Sequence, residues 1–122
     1  MTTTLALDHV YYWATDMDRS VKFYEDVVGL SLVRRDDGNW AVFDAGPLQL
    51  ALHGAIEGRP FQVGGATAVF KVGDLDAARV SLEGRGARFE EHVGEVQGFA
   101  RFASFRDPDG NVVQIIEYEG GR

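Results

Sequence analysis

The chain has 122 residues, a formal net charge of −7 and no cysteine. That length predicts one domain with one core. The lack of cysteine excludes disulfides, thiolate metal sites and a cysteine nucleophile. The negative charge and the scattered Lys and Arg residues argue against nucleic acid as a partner. No apolar run approaches the roughly 18 residues of a membrane span, and the first ten residues lack a secretory signal, so we expect a cytoplasmic chain that begins near Met1.

The first predicted elements are a strand over His9–Trp13 and a helix capped by Asp16. Gly29 is placed to end that helix. One helix face carries apolar side chains at helical spacing: Met17, Val21, Tyr24 and Val28. Short β-like stretches follow at Ser31–Arg35, Asn39–Asp44 and Leu48–His53.

Residues 54–65 contain Gly and Pro without periodicity, and we read them as the connection between two halves of the chain. Arg59 and Phe61 lie in this connection and are candidates for closing over a ligand.

The second half of the chain repeats the pattern of the first. A strand is predicted over Thr67–Val72, then a helix capped by Asp74, and 58 residues separate Asp74 from Asp16. Strands are then predicted near Arg88–Val96, Phe99–Phe105 and Asn111–Tyr118. The repeat predicts an α+β fold with two βαβββ modules, at about 7–54 and 65–119, within a single domain over 1–122.

Alternation along the strands separates two faces. One parity is almost wholly apolar and should meet the helices: Val10, Tyr12, Leu50, Leu52, Ala68, Phe70, Val113 and Ile115. The opposite parity mixes aromatic rings with polar groups, which is typical of a ligand pocket. Its members are His9, Tyr11, Trp13, Gln49, Ala51, His53, Thr67, Val69, Lys71, Gln114, Ile116 and Tyr118.

Two motifs carry a family resemblance. The first is Asp16-Met17-Asp18-Arg19-Ser20-Val21-Lys22-Phe23-Tyr24, which ends in Val28-Gly29-Leu30, and the second is Phe105-Arg106-Asp107-Pro108-Asp109-Gly110-Asn111. With the repeat, they resemble the vicinal oxygen chelate superfamily, which includes glyoxalase I, extradiol dioxygenases and metal-free bleomycin-binding proteins. The resemblance implies a half-open β-cup with the helices packed outside, and ligand positions on the first and last strand of each module.

Transferred by distance from the motifs, those ligand positions fall on His9, Thr67 and Gln114. An overlay of Val113-Gln114-Ile115-Ile116 on Leu48-Gln49-Leu50-Ala51 places the fourth on Gln49. Fe, Ni, Mn or Zn sites generally use imidazole and carboxylate donors, whereas a carboxamide is a weaker donor. The resemblance therefore implies either no metal or a weakly bound divalent metal on His9, Gln49 and Gln114. A second candidate set is His9, His53 and Glu117, although the parity of Glu117 points it toward the helices unless a bulge intervenes.

These residues leave three functions open. The first is a small-molecule-binding protein that sequesters an aromatic compound on Tyr11, Trp13 and Tyr118 in a metal-free cup. The second is a divalent-metal-dependent lyase or dioxygenase acting on a substrate with vicinal oxygens. The third is a metal-free enzyme with His9 or His53 as general base. By analogy with the superfamily we expect a homodimer, with the cup built within one chain or across two.

Overall fold

A computed structural model describes residues 8–55 and 65–121. The predicted closing residues Arg59 and Phe61 lie outside the described residues. Within the described ranges, no helix has the length and apolar character needed to cross a membrane.

Each half of the chain folds as strand, helix and three strands. The first module contains β1 (His9–Ala14), α1 (Met17–Phe23) with a π-helical turn (Tyr24–Val28), β2 (Ser31–Asp36), β3 (Trp40–Asp44) and β4 (Gln49–Gly54). The second contains β5 (Ala68–Lys71), α2 (Leu75–Gly84), β6 (Gly94–Val96), β7 (Ala100–Arg106), β8 (Val112–Tyr118) and a final 3-10 turn (Glu119–Gly121). The sheet orders are β1-β4-β3-β2 and β5-β8-β7-β6, so the predicted repeat is confirmed.

Side-chain caps begin both helices as predicted. Asp16 accepts a hydrogen bond from the Arg19 amide at 3.1 Å, and Asp74 accepts one from the Ala77 amide at 3.0 Å. The first helix changes form at Tyr24, because the amide of Gly29 donates to the Tyr24 carbonyl at 3.0 Å, five residues back. Gly29 has φ of 89°, which only glycine adopts readily, and it ends the turn.

The strand predicted near Arg88–Val96 is shorter than expected. Only Gly94–Val96 pairs in a ladder, and Phe89 makes a single bridge to Phe105. The intervening charged residues from Glu90 to His92 are exposed and lack the apolar alternation that would hold them on a sheet.

The helix-facing sides of both sheets meet in one core. Tyr12, Leu50 and Leu52 of the first module are at most 4% exposed, as are Val113 and Ile115 of the second. The other apolar residues predicted for this face pack against the same cluster: Val10, Ala68 and Phe70. The prediction that these apolar positions face the helices is therefore confirmed. In each module the opposite face of the sheet is turned away from the core.

Buried polar groups join the two modules. The Tyr12 hydroxyl donates to the Val112 carbonyl at 3.0 Å and accepts from the Ala68 amide, so it connects β1 to β5 and β8. The Tyr24 hydroxyl donates to the Asp107 carboxylate at 2.8 Å. Burial is the main cause that raises the pKa of both tyrosines, with the Asp107 charge adding to it. These contacts fix the relative position of the modules.

Candidate functional site

Five aromatic rings cover one face of the first sheet. This aromatic face comprises His9, Tyr11, Trp13, Trp40 and His53. It is built by register, because β1 pairs in parallel with β4 and β3 pairs with β4 on the other side, which places Trp13 and Trp40 on either side of His53. The ring centroids of Trp13 and Trp40 lie 4.4 and 5.7 Å from that of His53. Such spacing is favourable for aromatic contacts.

The centre and rim of the aromatic face differ in exposure. Tyr11 is 45% exposed, whereas Ala51, its partner on β4, is fully buried. The ring of Tyr11 lies 5.9 Å from Trp40 and 5.5 Å from His53. A small residue at the centre leaves the surrounding rings as the accessible surface, which suits a flat ligand.

Both histidines of the aromatic face are oriented by a hydrogen bond at Nδ1. The Nδ1 atom of His53 lies 2.8 Å from the Gly54 carbonyl, and that of His9 lies 2.8 Å from the Asp8 carboxylate. Because a carbonyl and a carboxylate accept, Nδ1 carries the hydrogen in each ring, as assigned from the partners. In a neutral ring with this tautomer, the Nε2 atom is an acceptor for a ligand.

The second module presents fewer rings and more neutral polar groups. Val69 is 48% exposed on β5 and pairs with Gln114 on β8. The carboxamide of Gln114 donates through Nε2 to the Ser104 hydroxyl at 3.1 Å, which leaves its oxygen as an acceptor. Ile116 lies on the same strand, and the Tyr118 ring packs 5.4 Å from Phe99. This face is suited to directional hydrogen bonds rather than to stacking.

A groove of about 350 Å³ runs along the seam between the modules. It brings together the predicted residues Gln49, Thr67 and Val69, with Pro47 and Leu48 on one wall. Two modules thus contribute to one concave surface within a single chain.

The register separates Gln49 from Gln114. Gln49 pairs with His9, while Gln114 pairs with Val69. The repeat makes Tyr11 the counterpart of Val69, and Tyr11 pairs with Ala51. Ala51, rather than Gln49, therefore stands where Gln114 stands in the second module, and the overlay of the two glutamines is shifted by two residues.

The set His9, His53 and Glu117 is not assembled in the chain. The Glu117 carboxylate accepts from the Leu75 amide at 2.7 Å, at the start of α2, and lies 3.6 Å from Arg101. No bulge turns it toward the other face, since β8 pairs with β7 without interruption. Glu117 therefore lies on the helix side of the sheet, as the alternation along the strand predicts.

The donor set does not fit a tight divalent site. Within residues 8–55 and 65–121, no group of three or more His, Asp or Glu side chains is arranged to hold a metal ion. His9 adjoins the neutral Gln49, and the other transferred positions are Thr67 and Gln114. Neutral oxygen donors are weak ligands for Fe, Ni or Zn.

Trp40 belongs to the site although sequence reasoning did not select it. Its ring contacts His9 at 5.4 Å, edge to face. Alternation on β3 predicts only that Trp40, Val42 and Asp44 share one face, and the choice of face depends on the pairing with β4. The sequence does not contain the register of β3 against β4, which is what places Trp40 on the aromatic face.

Comparison with known proteins agrees with this architecture. The Haemophilus influenzae lactoylglutathione lyase is 25% identical over 89% of this chain and 90% of its own length. A chloroplastic probable lactoylglutathione lyase of Arabidopsis thaliana is 26% identical over 89% of this chain, which spans only 35% of that protein. The crystal structure of a lactoylglutathione lyase from Agrobacterium tumefaciens has a TM-score of 0.77 and 26% identity, covering 95% of this chain and 96% of that one.

Family membership rests on a match that spans most of the chain. Residues 6–115 match the model of the glyoxalase/bleomycin resistance protein/dioxygenase superfamily. This range includes both modules as far as β8. The chain therefore belongs to the glyoxalase/bleomycin resistance protein/dioxygenase superfamily, the vicinal oxygen chelate proteins.

Proposed function

We propose that the protein binds a small, flat aromatic molecule in a cup without a resident metal. The aromatic face carries the proposal, because its five rings lie side by side on a surface turned away from the core. Stacking of one aromatic pair contributes about 0.5–1.5 kcal/mol beyond area burial. The acceptor nitrogens of His9 and His53 and the carboxamide of Gln114 would supply direction.

The proposed cup needs a second copy of the chain. The two ligand-facing sheets share one core on their helix sides, so neither face is covered by the other within the chain, and Tyr11 and Val69 stay 45% and 48% exposed. A homodimer in which the first module of one copy faces the second module of the other would enclose both faces. Such an arrangement is two-fold symmetric and creates two equal cups.

Tryptophan fluorescence tests the binding proposal directly. The chain has two tryptophans, Trp13 and Trp40, and both lie on the aromatic face. We expect saturable quenching by members of a panel of planar aromatic compounds that begins with naphthol and acridine. Trp40→Leu should weaken binding at least tenfold when followed by calorimetry. Val80→Ala, at a position 74% exposed on α2, is the matched control and should bind like wild type.

Mixing variants tests the shared cup. Trp40→Leu impairs the first module and Gln114→Ala the second, so each homodimer has two defective cups. If cups form across the dimer, unfolding and refolding an equimolar mixture restores one intact cup in each mixed dimer. Recovery of about a quarter of the wild-type sites supports the proposal, since half of the dimers are then mixed. Recovery of none, with dimers present, places each cup within one chain.

A metal-dependent lyase is the second candidate. It is favoured by the relatives named lactoylglutathione lyase and by the Nδ1 contact of His9 with Asp8, since metal-ligating histidines commonly bond a carboxylate at the other nitrogen. Calorimetric titration with Ni²⁺, Zn²⁺, Fe²⁺ and Mn²⁺ decides between the two candidates. Stoichiometric binding that His9→Ala removes, together with lactoylglutathione lyase activity, would overturn the metal-free proposal.

A further inference from the structure

A second recess lies on the helix side of the molecule, away from the proposed cup. This apolar cleft has a volume of about 230 Å³ and opens between the end of the π-helical turn, β5 and α2. Its lining is almost entirely apolar and includes Val28, Leu30, Phe70, Ala78 and Leu82. Among the described lining residues, only Ser81 and Arg85 have polar side chains, and both are exposed at the rim. The shape suits a ligand with a short aliphatic chain and one polar end.

Arg85 is held in place at this rim. Its Nε–H donates to the Val27 carbonyl at 3.0 Å, across 58 residues of sequence. Its guanidinium lies flat against Gly29, with the Cζ, Nη1 and Nη2 atoms 3.6–3.7 Å from the position that a Cβ atom would take there. An arginine that is already immobilised loses less conformational entropy when it binds a partner.

The charge of Arg85 has no acidic partner in the described part of the chain. Six other arginines pair there with a carboxylate: Arg19, Arg34, Arg35, Arg79, Arg101 and Arg106. Arg101, which borders a larger recess of about 510 Å³, is compensated by Asp76 and Glu117. The net charge of −7 repels anions overall, but an oriented arginine without a paired carboxylate attracts one locally beside the apolar cleft.

We propose that the apolar cleft binds a small aliphatic carboxylate, with its chain against Phe70 and Leu82 and its carboxylate on the terminal nitrogens of Arg85. The planar guanidinium matches a carboxylate in geometry and charge. The Nε–H is already occupied by Val27, so Nη1 and Nη2 supply the donors. The site is separate from the aromatic face and does not depend on the function proposed for it.

Calorimetry with octanoate tests the site, with octylammonium as the probe of opposite charge. We expect saturable, equimolar binding of octanoate, at least tenfold weaker in Arg85→Gln, and no binding of octylammonium. Arg88→Gln is the matched control, because Arg88 is exposed, pairs with no carboxylate among the residues that the structure describes, and does not line the cleft. Ala78→Leu fills the cleft and should abolish binding, with thermal unfolding used to verify that the variant is folded.

Three results of the titrations would overturn the proposal. One is no saturable binding of octanoate to wild type. Another is binding that Arg85→Gln and Ala78→Leu leave unchanged. The last is equal binding of octylammonium, which would remove the role of the charge. Because both tryptophans are on the aromatic face, octanoate in the cleft should leave their fluorescence unchanged, and quenching would place octanoate in the cup instead.

Discussion

Removing one buried hydroxyl measures how strongly the modules are joined. Tyr24→Phe deletes the hydroxyl that donates to the Asp107 carboxylate at 2.8 Å and leaves the ring, which is fully buried, in place. The carboxylate keeps other donors, namely the Asn111 side chain at 2.9 Å and the backbone amides of Asp109 and Asn111 at 3.0 and 2.8 Å. The substitution therefore removes one charge-assisted hydrogen bond without leaving the Asp107 carboxylate unpaired.

The expected loss follows from that count of donors. A hydrogen bond to a charged group contributes about 1.5–3 kcal/mol to the free energy of unfolding. Because Asp107 keeps its other donors, we expect a loss in the lower half of that range, about 2 kcal/mol. Unfolding entropy of about 2.1 cal/mol/K per residue then gives a fall in melting temperature of about 8 °C for a chain of 122 residues.

Thermal and urea unfolding followed by circular dichroism measure this loss. Tyr118→Phe is the matched control, because the Tyr118 hydroxyl makes no hydrogen bond within the described residues, and its stability should stay within about 0.5 kcal/mol of wild type. A double-mutant cycle with Asp107→Asn isolates the coupling between the two side chains. A loss below about 0.5 kcal/mol in Tyr24→Phe, or no coupling with Asp107, would refute the reasoning.

Further predictions concern packing, a buried carboxylate and alkaline pH. Gly54→Ala drives a Cβ into the backbone carbonyl oxygen of Gly38 in the β2–β3 turn and should cost about 1–3 kcal/mol in urea unfolding. Gly73→Ala, with open space around it, should be nearly neutral. Asp109→Ala removes the carboxylate that accepts hydrogen bonds from Arg19 and Ser20 of α1. It should lower the free energy of unfolding, measured in the same way, by about 2–3 kcal/mol. Above pH 10 the unfolded state loses phenolic protons that Tyr12 and Tyr24 retain when folded, so stability should fall as the pH rises, and less steeply in Tyr24→Phe.

Each of these predictions has an outcome that contradicts it. Equal stability of the Gly54 and Gly73 variants would mean that the turn yields to the added methyl group. An unchanged stability of Asp109→Ala would show that its bonds contribute nothing net. A stability that is flat above pH 10, or tyrosinate absorbance from all four tyrosines before unfolding, would contradict the burial argument.

Local patterns predicted the fold because they act at short range. The caps at Asp16 and Asp74 and the alternation that buries Val113 and Ile115 are set by neighbours in sequence, and each was recovered in the structure. The same alternation placed Glu117 on the helix side, where it binds the start of α2.

Features of the site that depend on pairing between strands were beyond local patterns. The register decides that Gln114 corresponds to Ala51 rather than Gln49, and it brings Trp40 onto the aromatic face. A shift of one residue reverses the face of every side chain on a strand, so sequence alone cannot fix these relations. The joining of both sheets through one core likewise arises from contacts such as Tyr12 with Ala68, 56 residues apart.

Tyr11 and Tyr12 are chemically identical neighbours with opposite surroundings, 45% and 4% exposed. In the proposed cup, alternate residues of β1 face the ligand and the residues between them face the core. Substitutions at the odd positions would alter that proposed cup, whereas the even positions hold the core together. A single-residue insertion before Tyr11 would exchange the two sets, so this strand tolerates a substitution at an odd position far better than a change in length.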